Sequence, residues 1–189
     1  MTDREGDIFT LYADCVDADL GFVIRVAQAH RSIVPTEPDD ATQLWEAAES
    51  APVITTKEIA VPHAPGRAAR TARVEIRAAP VTIRPPHGMA GKYDAVTANV
   101  VLVREVDAPR GVEALEWCLL TREPITTAGD VLAIVSMYEA RWLIEEFHMG
   151  LKTGCGMETR QLKTGHALRN LLAANVPIAD QLIVLNHWR

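Results

Sequence analysis

The sequence has little cysteine and no long apolar run. Its three cysteines are far apart among 189 residues and form no C-x-x-C pair, so we expect reduced, mostly buried thiols rather than a metal or redox centre. No apolar run approaches the roughly 18 to 20 residues that a membrane span needs. The polar residues 1–5 do not resemble the start of a secretory signal peptide. The sequence therefore predicts a cytoplasmic protein without a membrane segment.

Several common catalytic motifs are also missing. The sequence contains no G-x-G-x-x-G, no G-x-x-x-x-G-K-S/T and no G-x-S-x-G, so nucleotide binding and triad hydrolysis have no motif support. The composition, with 48% hydrophobic and 23% charged residues, is ordinary for a folded protein and argues against collagen-like, coiled-coil and wholly disordered classes. The length suffices for one domain with a sizeable core.

Charge is distributed unevenly along the chain. The net charge is −6, yet residues 1–63 carry 12 acidic and 4 basic residues, whereas residues 64–110 carry 8 basic and 4 acidic residues. Charges separated by more than a Debye length act independently, so an acidic protein can present a local basic surface. Two interpretations stay open: a surface that binds phosphates, or a solvated strand face rich in arginine.

The first two thirds of the chain show a change of period. Apolar residues recur at helical spacing between Ile8 and Val16, and a short apolar run at 22–24 predicts a strand. Strict alternation at 72–78 and apolar runs at 96–103 and 115–121 predict further strands. One short helix is predicted near residues 41–51. The strands after it follow each other through turns, which indicates an antiparallel sheet.

The last third of the chain predicts helices. Residues 127 to about 152 contain no proline, with Asp130 as a candidate cap, and predict one long helix. Residues 165–188 predict a further helix, broken or restarted near Pro177. We therefore expect an α+β (or α/β) protein in three sections: 1–51 with helix, strand and loop, 52–122 as an antiparallel β section, and 123–189 as a helical part.

Polar side chains share one face of the predicted long helix. At 100° per residue, Tyr138, Arg141, Glu145 and Lys152 fall within about a 60° arc. One interpretation is an exposed face with ordinary helical ion pairs, since Arg141 and Glu145 are four residues apart. The other is the wall of a cleft, favoured by the apolar start of the same stripe at residues 131–135. In a cleft, such a carboxylate could hold Mg²⁺ and the cations could hold phosphates.

These residues carry a family resemblance. Tyr138, Arg141, Glu145 and Lys152 spell Y-x2-R-x3-E-x6-K, which resembles the YREK signature of bacterial insertion-sequence DDE transposases of the IS-four type, relatives of the Tn-five transposase. The stretch D-R-E-G-D-I that begins at Asp3 resembles the same family's motif around its second catalytic Asp. The resemblance covers both ends of the chain from Asp3 to about residue 156.

The resemblance implies a fold and a metal site. The fold would be a partial RNase H-like (retroviral integrase-like) core with an antiparallel β insertion at 52–122. Asp3 and Glu145 would be catalytic carboxylates that bind Mg²⁺ (or Mn²⁺), and two such ions would promote strand cleavage and transfer in DNA transposition.

The resemblance also implies DNA contacts. Tyr138, Arg141 and Lys152 would bind phosphates at the transposon end. Trp117 would stack on a flipped-out base, which offsets the free energy lost on unstacking; a core tryptophan of a strand is the alternative.

One departure from the family pattern limits this expectation. The family's first catalytic Asp lies upstream of its second, and the sequence starts at the second. The prediction is a truncated transposase that lacks the first strands and is inactive alone, with transposon-end DNA, a second copy or a full-length transposase as partners. Two alternatives stay open: a non-catalytic regulatory module that binds DNA or a transposase, and an α+β domain whose helix face carries only ion pairs.

Overall fold

The computed structural model describes residues 1–28, 30–63, 68–156 and 164–187, and for residues 142, 144–146, 179, 180 and 182–187 it describes the backbone alone. The chain forms two compact units, Met1–Tyr138 and Glu139–Arg189. The helices and the antiparallel sheet described below confirm the predicted mixed α+β class. The three-section division of the chain stays a prediction.

The first unit is built on a five-stranded antiparallel sheet. Its strands are β1 (Val23–Arg25), β2 (Val53–Val61), β3 (Arg70–Ile83), β4 (Val96–Glu105) and β5 (Glu116–Thr121), and its helices are α1 (Phe9–Asp17), α2 (Leu44–Ser50) and α3 (Ala128–Glu139). The strand order is β1-β5-β4-β3-β2. Because β1 pairs with β5, the section 1–51 contributes a strand to the sheet formed by the section 52–122.

Residues on both faces of the central strand β4 are buried. On β4, Val100 and Leu102 point to one face, which packs against α1 and α2. Val101 and Val103 point to the other face, which packs against α3. Alternation along an extended strand sends neighbouring side chains to opposite faces, so an apolar run such as that of β4 indicates a strand covered on both sides.

The start of the chain lies beside β1. Thr2 forms a parallel bridge with Ile24, in which Thr2 N–H donates to the Val23 carbonyl (3.0 Å) and Arg25 N–H donates to the Thr2 carbonyl (3.2 Å). A 3₁₀ turn, Arg4–Gly6, and α1 connect the two paired segments. Asp3 directly follows the bridged residue Thr2.

Two side chains at the start of α3 accept hydrogen bonds from backbone N–H groups at or just before its N-terminus. Thr127 Oγ1 accepts from Asp130 N–H (3.2 Å), and Asp130 Oδ2 accepts from the N–H groups of Thr126 (2.9 Å) and Thr127 (2.8 Å). The cap is therefore Thr127, with the predicted Asp130 returning the hydrogen bond from the first turn. The hydrogen bonds from Thr126, followed by those from Thr127, lower the pKa of Asp130 to about 2.

The prediction of one helix from 127 to about 152 is wrong. The chain turns at residues 140–141 between α3 and the next helix, α4 (Trp142–Met149), and a π-helical turn follows at Gly150–Gly154. No proline or glycine lies between residues 130 and 149. The interruption follows the boundary between the two compact units, which lies after Tyr138, by two residues.

The second unit contains α4, the π-helical turn and α5 (Gly165–His187). Thr164 caps α5, since its hydroxyl accepts from Ala167 N–H (3.2 Å). The expected break near Pro177 is wrong, because α5 runs through this exposed proline without interruption. Proline removes one donor of a helix, and the turns on either side of it continue the α-helix. None of the described helices has the length and apolarity required to cross a membrane.

Candidate functional site

Asp3 occupies the junction between the extended segment at Thr2 and the 3₁₀ turn. Its Oδ1 atom accepts a hydrogen bond from Arg4 N–H (2.8 Å), so it caps the turn that it precedes. The same oxygen accepts a second hydrogen bond from the Tyr138 hydroxyl, at 3.1 Å. The side chain is half-buried. A carboxylate in this position is a hard oxygen donor of the kind that Mg²⁺ prefers.

Tyr138 ends the buried face of α3. Val131, Ile134 and Val135 precede it on that face, pack on the sheet and are fully buried, as the sequence predicts. Tyr138 itself is only 4% exposed. Its hydroxyl reaches Asp3 although the two residues are 135 positions apart.

Trp117 completes a cluster with these two residues. It lies on β5, is half-buried, and its ring contacts the Tyr138 ring edge to face, with 5.1 Å between centroids and 68° between planes. Such aromatic pairs are preferred geometries. Three of the six predicted site residues, from the chain start, β5 and α3, therefore meet in the first unit; we call them the Asp3–Tyr138–Trp117 cluster. The predicted stacking of Trp117 on a base stays a prediction.

The other three predicted site residues belong to the second unit. Arg141 is half-buried in the turn before α4, and Lys152 is exposed in the π-helical turn. Glu145 lies on α4, and its side chain is outside the described part of the structure. The predicted 60° arc assumes one continuous helix from Tyr138 to Lys152. It does not hold, because the chain turns after α3 and becomes π-helical at Gly150. Their roles stay predictions.

A buried ion pair lies just beyond Asp3, and sequence reasoning missed it. The Asp7 carboxylate accepts from the N–H groups of Ala27 (2.6 Å) and Gln28 (2.7 Å), from the Tyr12 hydroxyl and from Arg31. Burial alone would raise the pKa of Asp7, but the hydrogen bonds from Tyr12 and Gln28 and the charge of Arg31 lower it below the usual value. No motif marks a pair whose members are 24 residues apart.

Burial and Asp7 also raise the pKa of Tyr12, which keeps its hydroxyl a donor. Arg31 lies over the Tyr12 ring, 5.2 Å from the centroid. The first turn of α1 is thereby tied to the loop that follows β1. The contacts among Asp7, Tyr12 and Arg31 stabilise the segment that carries Asp3.

Several arginines of the section 64–110 use their guanidinium groups for contacts within the chain. Five arginines of this section contact acidic or carbonyl acceptors: Arg70 pairs with Glu105, Arg73 with Asp107, Arg77 with Glu75, Arg104 with Glu49 and Glu116, and Arg84 donates to the Ile33 carbonyl. These contacts favour the interpretation as an arginine-rich strand face over that of a basic surface for phosphates.

A cavity of about 250 Å³ lies elsewhere in the first unit. It lies between the sheet and the start of α3, and it is lined by Ile54, Ala78, Ala79, Pro80, Asn99, Ile125, Thr126, Thr127 and Ala128. None of the predicted site residues lines it. The Asn99 amide donates to the Glu123 carbonyl (2.9 Å), and the N–H groups of Thr126 and Thr127 are held by Asp130.

Asp3 is the predicted metal ligand whose side chain the structure describes. Within the described ranges, no three His, Cys, Asp or Glu side chains stand close enough together to hold a metal ion. Asp3 fits one position of an oxygen-ligand set, and the second predicted ligand, Glu145, lies outside the described side chains. No model of a known protein family matches the chain.

Proposed function

We propose that the chain is part of a DDE transposase of the YREK type, with DNA as its substrate and metal-dependent phosphoryl transfer as its chemistry. The observation that supports this most directly is the hydrogen bond between Tyr138 and Asp3, at 3.1 Å. The two residues come from the two separate motifs on which the resemblance depends. A chance resemblance would give no reason for these motifs to meet.

The position of Asp3 also supports the proposal. It follows Thr2, which forms one parallel bridge with Ile24 of β1, and α1 lies between the two along the chain. Functional sites of α/β folds commonly lie at the carboxyl ends of parallel strands. We propose on this basis that the first unit carries part of an RNase H-like core, with the antiparallel section 52–122, which contains β2 to β5, as an insertion.

Each predicted site residue has a role in the proposal. Asp3 and Glu145 hold Mg²⁺ or Mn²⁺, which when bound activates the attacking oxygen and stabilises the leaving oxygen. Arg141 and Lys152 bind phosphates that flank the cut site, and Trp117 stacks on an unpaired base. The proposed partners are transposon-end DNA and a second copy or a full-length transposase, in the cytoplasm.

Metal binding by the full chain tests the proposal. Titration calorimetry and the EPR signal of Mn²⁺ measure its binding, and we expect the wild type to bind it. Asp3→Asn and Glu145→Gln should each weaken Mn²⁺ binding by about tenfold or more. Glu58→Gln is the matched control, since Glu58 is an exposed carboxylate of β2. Equal Mn²⁺ affinity in all four proteins would contradict the proposal.

DNA binding separates the proposed enzyme from a regulatory module. A fluorescein-labelled duplex is titrated with the chain in EDTA and in Mn²⁺, with anisotropy as readout. If Mn²⁺ strengthens duplex binding, and if this effect requires both Asp3 and Glu145, the proposal is supported. Tight binding that is indifferent to metal and to both substitutions supports the non-catalytic alternative.

A further inference from the structure

We infer that Tyr138 is a positioning residue for the Asp3 carboxylate and not a ligand of DNA phosphate. This inference rests on the proposed function, because it assigns Asp3 to a metal. It changes the role that the family resemblance gives to the tyrosine of the YREK signature.

The Tyr138 hydroxyl has one hydrogen to donate. An ionised carboxylate only accepts hydrogen bonds, so the contact of 3.1 Å with Asp3 Oδ1 uses that hydrogen. Phosphate oxygens of DNA also only accept. To bind a phosphate through its hydrogen, Tyr138 would therefore have to give up Asp3.

The tyrosine is also withdrawn from solvent. Only 4% of Tyr138 is exposed, and the edge-to-face contact with Trp117 holds the ring. Its helix is fixed by Val131 and Val135, which are fully buried against the sheet. A DNA backbone needs an accessible donor, whereas a group that orients a neighbouring side chain benefits from burial and rigidity.

Asp3 receives two donors on the same oxygen. Arg4 N–H and the Tyr138 hydroxyl both bind Oδ1, and they come from the 3₁₀ turn and from α3. Two donors from separate elements restrict rotation of the carboxylate group. Carboxylates that ligate metals are commonly held by such hydrogen bonds, and the loss of one typically costs 10–100-fold in metal affinity or activity.

Tyr138→Phe tests the inference, because it removes one oxygen and keeps the ring against Trp117. In the full chain we expect Mn²⁺ affinity without DNA to fall by about tenfold. Binding of the fluorescein-labelled duplex in EDTA should not change. Tyr93→Phe is the matched control, as Tyr93 contacts Phe9 and Lys92 on another part of the first unit, and it should change neither quantity. An unaltered melting temperature shows that Tyr138→Phe is folded.

The outcomes separate this inference from the proposed function. Wild-type Mn²⁺ affinity in Tyr138→Phe, together with weakened binding in Asp3→Asn, would overturn the positioning role alone. Weaker duplex binding in EDTA, with or without a change in Mn²⁺ affinity, would make Tyr138 a phosphate ligand and overturn it as well. Unchanged Mn²⁺ binding in Asp3→Asn would contradict both proposals. In the Asp3→Asn background, Tyr138→Phe should have no further effect on Mn²⁺ binding, and an additional loss there would contradict an action through Asp3.

Discussion

Arg31 donates to Asp7 twice, to its backbone carbonyl at 3.1 Å and to its carboxylate. The two side chains are 5% and 0% exposed. Asp7 directly follows the 3₁₀ turn that begins after Asp3, so this pair fixes one end of the turn while the Thr2 bridge to β1 fixes the other. The local geometry of Asp3 therefore depends on a contact with Arg31, which lies outside both family motifs.

Breaking the Asp7–Arg31 pair should strongly destabilise the fold. Arg31→Met leaves a buried carboxylate without its counter-ion, which typically costs about 3–5 kcal/mol. Urea unfolding of the full chain measures this loss. The matched control is Arg73→Gln, whose pair with Asp107 has side chains 63% and 84% exposed; its effect should stay below about 1 kcal/mol. Equal losses in the two variants would contradict the assignment of the buried pair.

The same carboxylate should make stability depend on acidity. The pKa of Asp7 is lower in the folded chain than its ordinary value of 3.8, so the unfolded chain takes up the proton first as pH falls. The stabilising contribution is therefore complete above the unfolded pKa and is lost as pH falls through the folded pKa. Urea unfolding between pH 7 and pH 3 should show the advantage of wild type over Asp7→Asn shrinking below about pH 4. A constant difference would argue against a charged Asp7.

Removing the cap of α3 should weaken the first unit. Thr127→Ala leaves the Asp130 N–H without its side-chain acceptor, and loss of such a cap costs about 0.5–2 kcal/mol. Thr127→Ser keeps the hydroxyl and should retain most of the stability. Thermal unfolding followed by circular dichroism compares the two variants. Equal destabilisation by serine and alanine would point to the lost methyl group instead of the cap.

Thr2 packs directly against Gly6 where it lies beside β1. A Cβ atom at Gly6 would overlap the Thr2 side chain and stand 2.9 Å from Thr2 Cβ, so Gly6→Ala should displace Thr2 and cost about 1–3 kcal/mol through overpacking. Thr2→Gly removes the atoms that clash. The cost of Gly6→Ala should therefore be much smaller in the Thr2→Gly background, as a double-mutant cycle in urea would show. Additive effects would contradict this explanation.

Cys118 should be protected from thiol reagents. It is buried, and burial, followed by the charges of Asp7 and Glu116, raises its pKa to about 12. Since the thiolate is the reactive form, Cys118 should resist DTNB at pH 8 until the chain is unfolded. Cys15 and Cys155 are half-buried and should react first. In Cys118→Ala the fast phase should keep its amplitude and the slow phase should disappear; a smaller fast phase would contradict the assignment.

Local periodicity predicts much of the fold. The strand predictions at 96–103 and 115–121 correspond to β4 and β5, and the helical spacing between Ile8 and Val16 corresponds to α1. These elements alternate or repeat their apolar residues in the way that burial on a sheet or helix face requires. The sequence predicts the β section but does not single out β2. This edge strand contains several polar residues, which weaken its apolar alternation.

Features that depend on tertiary packing were not predictable in the same way. The turn after Glu139 has no local breaker, and the continuity of α5 at Pro177 runs against the local signal. The contact between Tyr138 and Asp3 follows from two motifs 135 residues apart only when a family resemblance joins them. The Asp7–Arg31 pair lacks even that support, since burial in three dimensions decides whether an acidic and a basic residue meet.

The pairing of β1 with β5 has a consequence for synthesis on the ribosome. Thr121 donates to the Phe22 carbonyl at 2.7 Å, across 99 residues of chain. At roughly 5–20 residues per second, about 5 to 20 s separate the appearance of these two strands. During this interval the apolar residues of β1 lack the antiparallel strand that pairs with them in the folded chain, so β1 cannot take its final place until β5 has been made.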